Sequence, residues 1–245
     1  MEDTLHRAKF RLAGAVAYWN VQPGVEDLAE RLAAVRGRIV AAAERARRDP
    51  ADITLLAVTK MFPAAAIRQA YELGLREFGE NYVQEFAGKA AEVRDLEGAR
   101  FHFIGHLQSN KSGVAAELFD CIQTVDSAKL ARRLESAGRK LEVMLEINVS
   151  GEAAKSGAEP AAVPELIAAV GECPHLTLTG LMTMPPWSDD PEAARPHFRR
   201  LRELAERHGL RGLSMGMSHD LETAIEEGST CVRVGTALFG ARTKA

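Results

Sequence analysis

A chain of 245 residues, 46% hydrophobic, can bury one sizeable core, and a formal charge of −3 gives no electrostatic reason to expect a nucleic-acid partner. Cys121, Cys173 and Cys231 stand far apart, which argues against a disulfide framework or a thiolate zinc site and fits a reducing, cytoplasmic setting. The longest apolar run near the start, Leu12 to Trp19, is too short to span a bilayer, and the acidic opening Met1-Glu2-Asp3 is unlike a secretory leader.

Residues 1–21 read as a poorly signalled N-terminal arm. After it, Val25, Leu28, Leu32, Val35 and Ile39 recur at three and four residues, with Glu26 and Asp27 in the first turn and Asp49-Pro50 as the stop, so one amphipathic helix is expected. From Ile53 onward apolar strands alternate with helices. Strands are expected near 53–59, 75–79, 100–105, 120–125, 141–149, 176–182, 212–215 and 231–234. Helices are expected near 63–73, 82–95, 109–117, 127–138, 160–171, 191–208 and 219–227, with a last one opening at Thr236. Eight strand–helix units of roughly two dozen residues suit a closed (β/α)8 TIM barrel, an α/β fold in one domain over 22–245 with an extra N-terminal helix.

Active sites of such barrels lie at the C-terminal ends of the strands. There stand Lys60, Glu80-Asn81-Tyr82, Gly105-His106, Asp126-Ser127, Asn148, Ser150, Met182 to Pro185, Ser214 to Ser218 and Arg233 to Thr236. Lys60 closes the buried run Ile53 to Thr59, where desolvation favours the neutral amine and hence Schiff-base formation with an aldehyde. Gly216, Ser218, Gly235 and Thr236 are small enough for backbone N–H groups to approach an anion, and the helices starting after Ser218 and Thr236 add their positive ends. Loops after strands seven and eight are the usual phosphate position in these barrels and adjoin strand one around a closed ring. One molecule carrying both an aldehyde and a phosphate is pyridoxal 5′-phosphate. Arg233 would donate to its ring nitrogen; the alternative is an interior arginine paired with Glu80 or Asp126.

Several motifs carry a resemblance: Ala57-Val58-Thr59-Lys60, Phe78 to Glu85, His102 to Lys111, Gly180 to Met184, Leu213 to Ser218, and Val232 to Gly240. Together they resemble the pyridoxal phosphate homeostasis protein family over about residues 25 to 242. The resemblance implies a single barrel like the N-terminal domain of alanine racemase and a cofactor carried on Lys60. It further implies phosphate contacts at Ser218, Gly235 and Thr236, Arg233 at the ring nitrogen and Asn81 near the ring, with Ser214 counted among the cofactor-binding residues. Phe101 stands where a tryptophan is common, and His219 where an acidic or small residue is common. His102 and His106, nominally on one side of a strand, lack a third ligand and read as packing and rim residues, not a metal site. Lys155 reads as a solvated loop lysine that could reach over the site, and Met182, Met184, Met215 and Met217 as filler around the ring.

Three functions remain. A non-catalytic protein would hold pyridoxal phosphate for buffering or delivery; an amino-acid racemase would use the same link; a cofactor-free aldolase would use Lys60 on a phosphorylated sugar. Racemisation needs a second base across the substrate carbon, resembling a tyrosine from a C-terminal β domain that is not expected here, and of Tyr18, Tyr71 and Tyr82 only Tyr82 falls near the rim. An aldolase lysine usually lies on a more central strand. The expectation is therefore a cytoplasmic, monomeric cofactor-holding protein, with pyridoxal phosphate and its apo-enzymes as partners and neither nucleic acid nor membrane.

Overall fold

The computed structural model describes residues 9–12, 15–18, 25–152 and 155–240. It opens with an antiparallel ribbon of β1 (Lys9–Leu12) and β2 (Ala15–Tyr18) inside the N-terminal arm, an element the sequence pattern does not announce. Helix α1 (Val25–Arg45) follows and buries Leu28, Leu32, Val35 and Ile39, the expected stripe.

The alternating part runs β3 (Thr54–Val58), α2 (Ala64–Glu72), β4 (Glu77–Glu80), α3 (Val83–Lys89), β5 (Arg100–Phe103), α4 (Ser112–Leu118), β6 (Cys121–Val125) and α5 (Ala128–Glu135). It continues with β7 (Leu141–Glu146), α6 (Val163–Gly171), β8 (Leu176–Met182), α7 (Arg195–Arg207), β9 (Gly212–Met217), α8 (Leu221–Glu226), β10 (Cys231–Val234) and α9 (Thr236–Phe239). Strands β3 to β10 are parallel and form a closed barrel, with β10 beside β3, so the expected (β/α)8 architecture is present. Helix α1 packs outside it against α8 and α9.

Alternation along each strand separates two apolar layers. Leu56, Val58, Ile104 and Cys231 cluster inside the barrel, as do Cys121, Met144 and Met182. Ala57, Phe78, Phe101 and Phe103 face the helices, where Phe86 of α3 lies 4.7 Å from Phe101 and 4.9 Å from Phe119, ring centre to ring centre.

Boundaries shift where the backbone finds other partners. The strand expected to reach residue 149 ends at Glu146, because the Asn148 N–H turns to Ala158 O at 2.9 Å and the chain leaves the ladder. Helices expected from 160 and 191 begin as 3-10 turns at Pro160 and Pro191, whose fixed φ suits a first turn that requires no N–H.

Candidate functional site at the barrel mouth

Along β3 the side chains of Leu56 and Val58 face inward and that of Ala57 outward, and half-buried Lys60 stands in the turn two residues past the strand's end. Its turn is held from outside the barrel. Thr59 Oγ1 donates to Glu80 Oε1 at 2.6 Å, and Lys89 Nζ donates to Thr59 O at 3.1 Å and Phe62 O at 2.9 Å while pairing with Glu80 at 2.8 Å and Glu85 at 2.9 Å. Between them Met61 adopts φ +65°, a left-handed conformation unfavourable for a side-chain-bearing residue, and its N–H donates to Glu85 Oε1 at 2.7 Å. Burial pushes the Glu80 carboxyl up to about 7 against the opposing pull of Lys89.

The second turn depends on a bulge. Cys231 pairs with Ser214 and Arg233 with Met217, so three steps of β9 oppose two of β10. Gly216 supplies the extra residue at φ +91°, and a Cβ there would lie 2.4 Å from Ala224 Cβ. The bulge delivers Ser218 beside α9, where Ser218 Oγ accepts the Ala237 N–H at 3.2 Å and leaves its own hydrogen for an anion. Asp220 Oδ1 accepts the Met217 N–H at 2.7 Å, and from α1 Arg38 grips both Ser218 O at 3.0 Å and the Glu222 carboxylate at 2.6 and 2.7 Å. Gly235, N-terminal cap of α9, and exposed Thr236 complete this side.

Arg233 is buried beneath these turns. Its Nη1 donates to Ser214 Oγ at 2.7 Å and its Nη2 to Thr183 O at 2.8 Å, so neither Glu80 nor Asp126 is its hydrogen-bonded partner among the described residues. Glu80 shares outward parity with Phe78 and turns to Lys89. Ser214, fully buried, is bonded to Arg233 and to Gln123. Asn81 follows β4; its Oδ1 is buried with no hydrogen-bond partner among the described residues, and its backbone is pressed against Gly105, where a Cβ would fall 2.2 Å from Asn81 O.

The structure thus brings Lys60, Asn81, Ser214, Ser218, Arg233, Gly235 and Thr236 onto four strands that are consecutive in the ring, β9, β10, β3 and β4. The remaining expectations are met in part: one histidine packs and the other lies at the rim, but they share no side, and the four methionines divide. His102 is buried in the barrel and His106 exposed, because β5 ends at Phe103 and the alternation stops there. Met215 packs in the outer core and Met182 in an inner cluster, while Met184 and Met217 stay at the rim. Lys155 donates to Met184 O at 3.3 Å and so bridges two rim loops. Among the described residues no group of His, Cys, Asp or Glu side chains is arranged to hold a metal ion.

Glu146 was not singled out by sequence. It ends β7 at the inward parity of Met144, is 2% exposed, and its Oε2 has no hydrogen-bond partner among the described residues. Burial first, then Asp126, pushes its carboxyl up to about 7, against the pull of Arg233. The folded state therefore binds this proton more tightly than the unfolded chain, and the associated stability is present below about pH 4.5 and lost as pH rises through 7. Glu146→Gln should be near neutral at pH 4.5 and stabilise the ligand-free protein by up to about 3 kcal/mol at pH 8. Denaturant melts at the two values check it; an equal effect at both pH values refutes it.

A lysine, two turns rich in small residues and a buried arginine gathered at the C-terminal mouth of a parallel eight-stranded barrel define a barrel protein of the TIM class with a candidate small-molecule site at that end. A family model described as "Alanine racemase, N-terminal domain" matches residues 31–243. The chain belongs to this family, and within it to the pyridoxal phosphate homeostasis proteins. The protein of that name from Pseudomonas aeruginosa is 52% identical over 224 residues, covering 89% of this chain and 97% of the relative. The one from Escherichia coli K12 is 47% identical over 232 residues, covering 89% and 98%. The solved structure of PipY from Synechococcus elongatus with PLP bound superposes with a TM-score of 0.75 at 38% identity, covering 87% of this chain and all of that one. Among the described residues no helix is long and apolar enough to cross a membrane.

Proposed function

We propose that this chain holds pyridoxal 5′-phosphate in the barrel mouth as a Schiff base on Lys60 and buffers or delivers it, without turning over an amino acid. The observation that carries the reading is the contiguity of β9, β10, β3 and β4, which gathers an amine, an anion cradle and a donor-only cation within one sector of the rim. When bound, the cofactor supplies an aldehyde that links to an amine and a ring that withdraws electrons. The residues suit it: the Ser218 hydroxyl and the α9 amides match a phosphate, Arg233 matches an unprotonated ring nitrogen, and the unpaired Asn81 Oδ1 is an acceptor awaiting a donor. Relatives named for pyridoxal phosphate homeostasis, and a relative with PLP bound, support it. Apo-enzymes that need the cofactor are the recipients we propose, and the chain acts as a cytoplasmic monomer.

Ser218→Ala should weaken pyridoxal phosphate by roughly 1.5–3 kcal/mol, the worth of a charge-assisted hydrogen bond, and leave unphosphorylated pyridoxal almost unaffected. Equal losses for both would assign Ser218 to the fold alone.

Racemisation is the second reading, because the barrel is shared with alanine racemase domains. A guanidinium cannot give up its proton to the ring nitrogen, so the α-proton of a linked amino acid is weakly acidified. Tyr82 near the rim is exposed and distant in role from a poised base. Holo-protein incubated with L-alanine, L-serine and L-glutamate in deuterated water should show neither α-deuterium nor D-enantiomer at enzymatic rates. Turnover on the order of one per second overturns the carrier reading.

A further inference from the structure

A line of polar side chains, buried except for half-buried Glu77 at its end, crosses the barrel interior from the mouth to the opposite end. Arg233 Nη1 donates to Ser214 Oγ at 2.7 Å, Ser214 Oγ to Gln123 Oε1 at 2.6 Å, Gln123 Nε2 meets His102 Nδ1 at 3.0 Å, and His102 Nε2 meets Glu77 Oε2 at 2.5 Å. The four links join β10, β9, β6, β5 and β4, and the Ser214–Gln123 step connects strands that are not neighbours in the ring.

The direction of every link is determined by its ends. A guanidinium only donates, so Ser214 Oγ accepts from it and its one hydrogen goes to Gln123 Oε1. That assignment turns the Gln123 amide nitrogen toward His102, whose Nδ1 must then accept. The imidazole proton is left on Nε2, which donates it in a hydrogen bond to the Glu77 carboxylate. Turning the amide over would give Ser214 two donors and remove the oxygen that takes its hydrogen. All dipoles of the chain therefore point one way, from the Arg233 cation to the Glu77 anion, an arrangement in which each bond polarises the next.

We propose that Gln123, oriented by His102 and acting through Ser214, is the positioning residue that fixes the Arg233 guanidinium for a ring-nitrogen acceptor bound in the mouth. The inference rests on the cofactor reading above. Ser214 Oγ and Thr183 O hold two nitrogens of the fork, so its plane is determined only while Ser214 is held as an acceptor. Without Gln123 the serine hydroxyl can rotate toward Arg233 and present a hydrogen to a cation, and the fork loses one of its two anchors. None of the four links includes a residue of the Lys60 turn or Ser218, Gly235 or Thr236, so loss of the chain should act on recognition of the ring nitrogen more than on phosphate or amine.

The test compares binding of pyridoxal phosphate with that of its deaza analogue, in which a C–H replaces the ring nitrogen. Wild-type protein should prefer pyridoxal phosphate by about ten-fold or more, the scale of a hydrogen bond to a charged group. Gln123→Leu and Ser214→Ala should lower that preference to within about two-fold while keeping most affinity for the analogue, and Gln123→Glu, which retains an oxygen for the Ser214 hydroxyl, should restore it. Met144→Leu, another interior change that touches no link, should leave the preference intact. Nitrogen-15 spectra of the ligand-free wild type should show His102 protonated at Nε2 and bare at Nδ1. A preference that survives in folded Gln123→Leu or Ser214→Ala, a wild type without any preference, or a proton on His102 Nδ1 overturns the inference. A wild type that takes up neither compound overturns the cofactor reading itself.

Discussion

Lys60→Ala is expected to lose entirely the visible absorption that added pyridoxal phosphate produces in the wild type, and borohydride reduction of wild-type holo-protein is expected to fix the cofactor on Lys60. Three features favour this lysine as the attachment point we propose. It stands two residues past inward-facing Val58, that valine packs beside the Gly235 turn, where a Cβ would sit 3.4 Å from Val58 Cβ, and its backbone turn is anchored on both sides. Other lysines lack this combination. Lys89 is buried and spends its Nζ on two carbonyls and two carboxylates, Lys111 sits in the 3-10 turn after β5, and Lys155 reaches Met184 O from a loop. Peptide mapping after reduction decides the matter; a main adduct on Lys111 or Lys155, or an undiminished visible band in Lys60→Ala, sinks the assignment.

Local signals make the fold, and most residues of the candidate site, legible in the sequence. Runs such as Leu55 to Val58 and Cys231 to Val234 are too short and too aliphatic for helices, and their regular spacing leaves a closed barrel as the economical arrangement. Lys60, Ser218, Gly235 and Thr236 could be picked out because each sits where such a run meets small, turn-forming residues. What lay hidden was what only the closed ring brings together. Ser214 and Gln123 are 91 residues apart, and nothing near either announces the other. Glu146 looked like one more strand residue until parity turned it inward with Met144. Lys89, four residues after Glu85, reads as an ordinary surface helix pair, yet α3 lies against the barrel so that this side chain is 3% exposed. The two-residue period also misled where it was extended past a strand's end, as for His106 after β5.

Lys89→Met should cost the protein roughly 3–5 kcal/mol, because it removes one partner of a buried ion pair and leaves the other uncompensated. Glu80 Oε1 would retain only the Thr59 hydroxyl, Glu85 Oε1 only the Met61 N–H, and the carbonyls of Thr59 and Phe62 would lose their shared donor. The damage centres on the turn that carries Lys60. Met61 is held at φ +65° by surrounding bonds, and with the ammonium gone the strain of that conformation is opposed mainly by the Met61 N–H bond to Glu85 and the Phe62 N–H bond to Thr59 O. Cofactor retention should therefore fall in the variant even where it remains folded. Protonation decides how the loss varies: the Glu80 carboxyl, already raised to about 7 by burial with Lys89 present, would rise further without it, so the folded variant holds a proton that the unfolded chain gives up near 4.5. Stability linked to that proton is present at low pH and lost as pH increases, which makes the variant's deficit smaller at pH 5 than at pH 8. Adding Glu80→Gln should recover part of the deficit at pH 8, since it deletes the stranded charge. Denaturant melts of wild type, both single variants and the double variant at the two pH values measure the coupling; a Lys89→Met loss under about 1 kcal/mol, the scale of an exposed pair, would show that the clamp does not hold the turn.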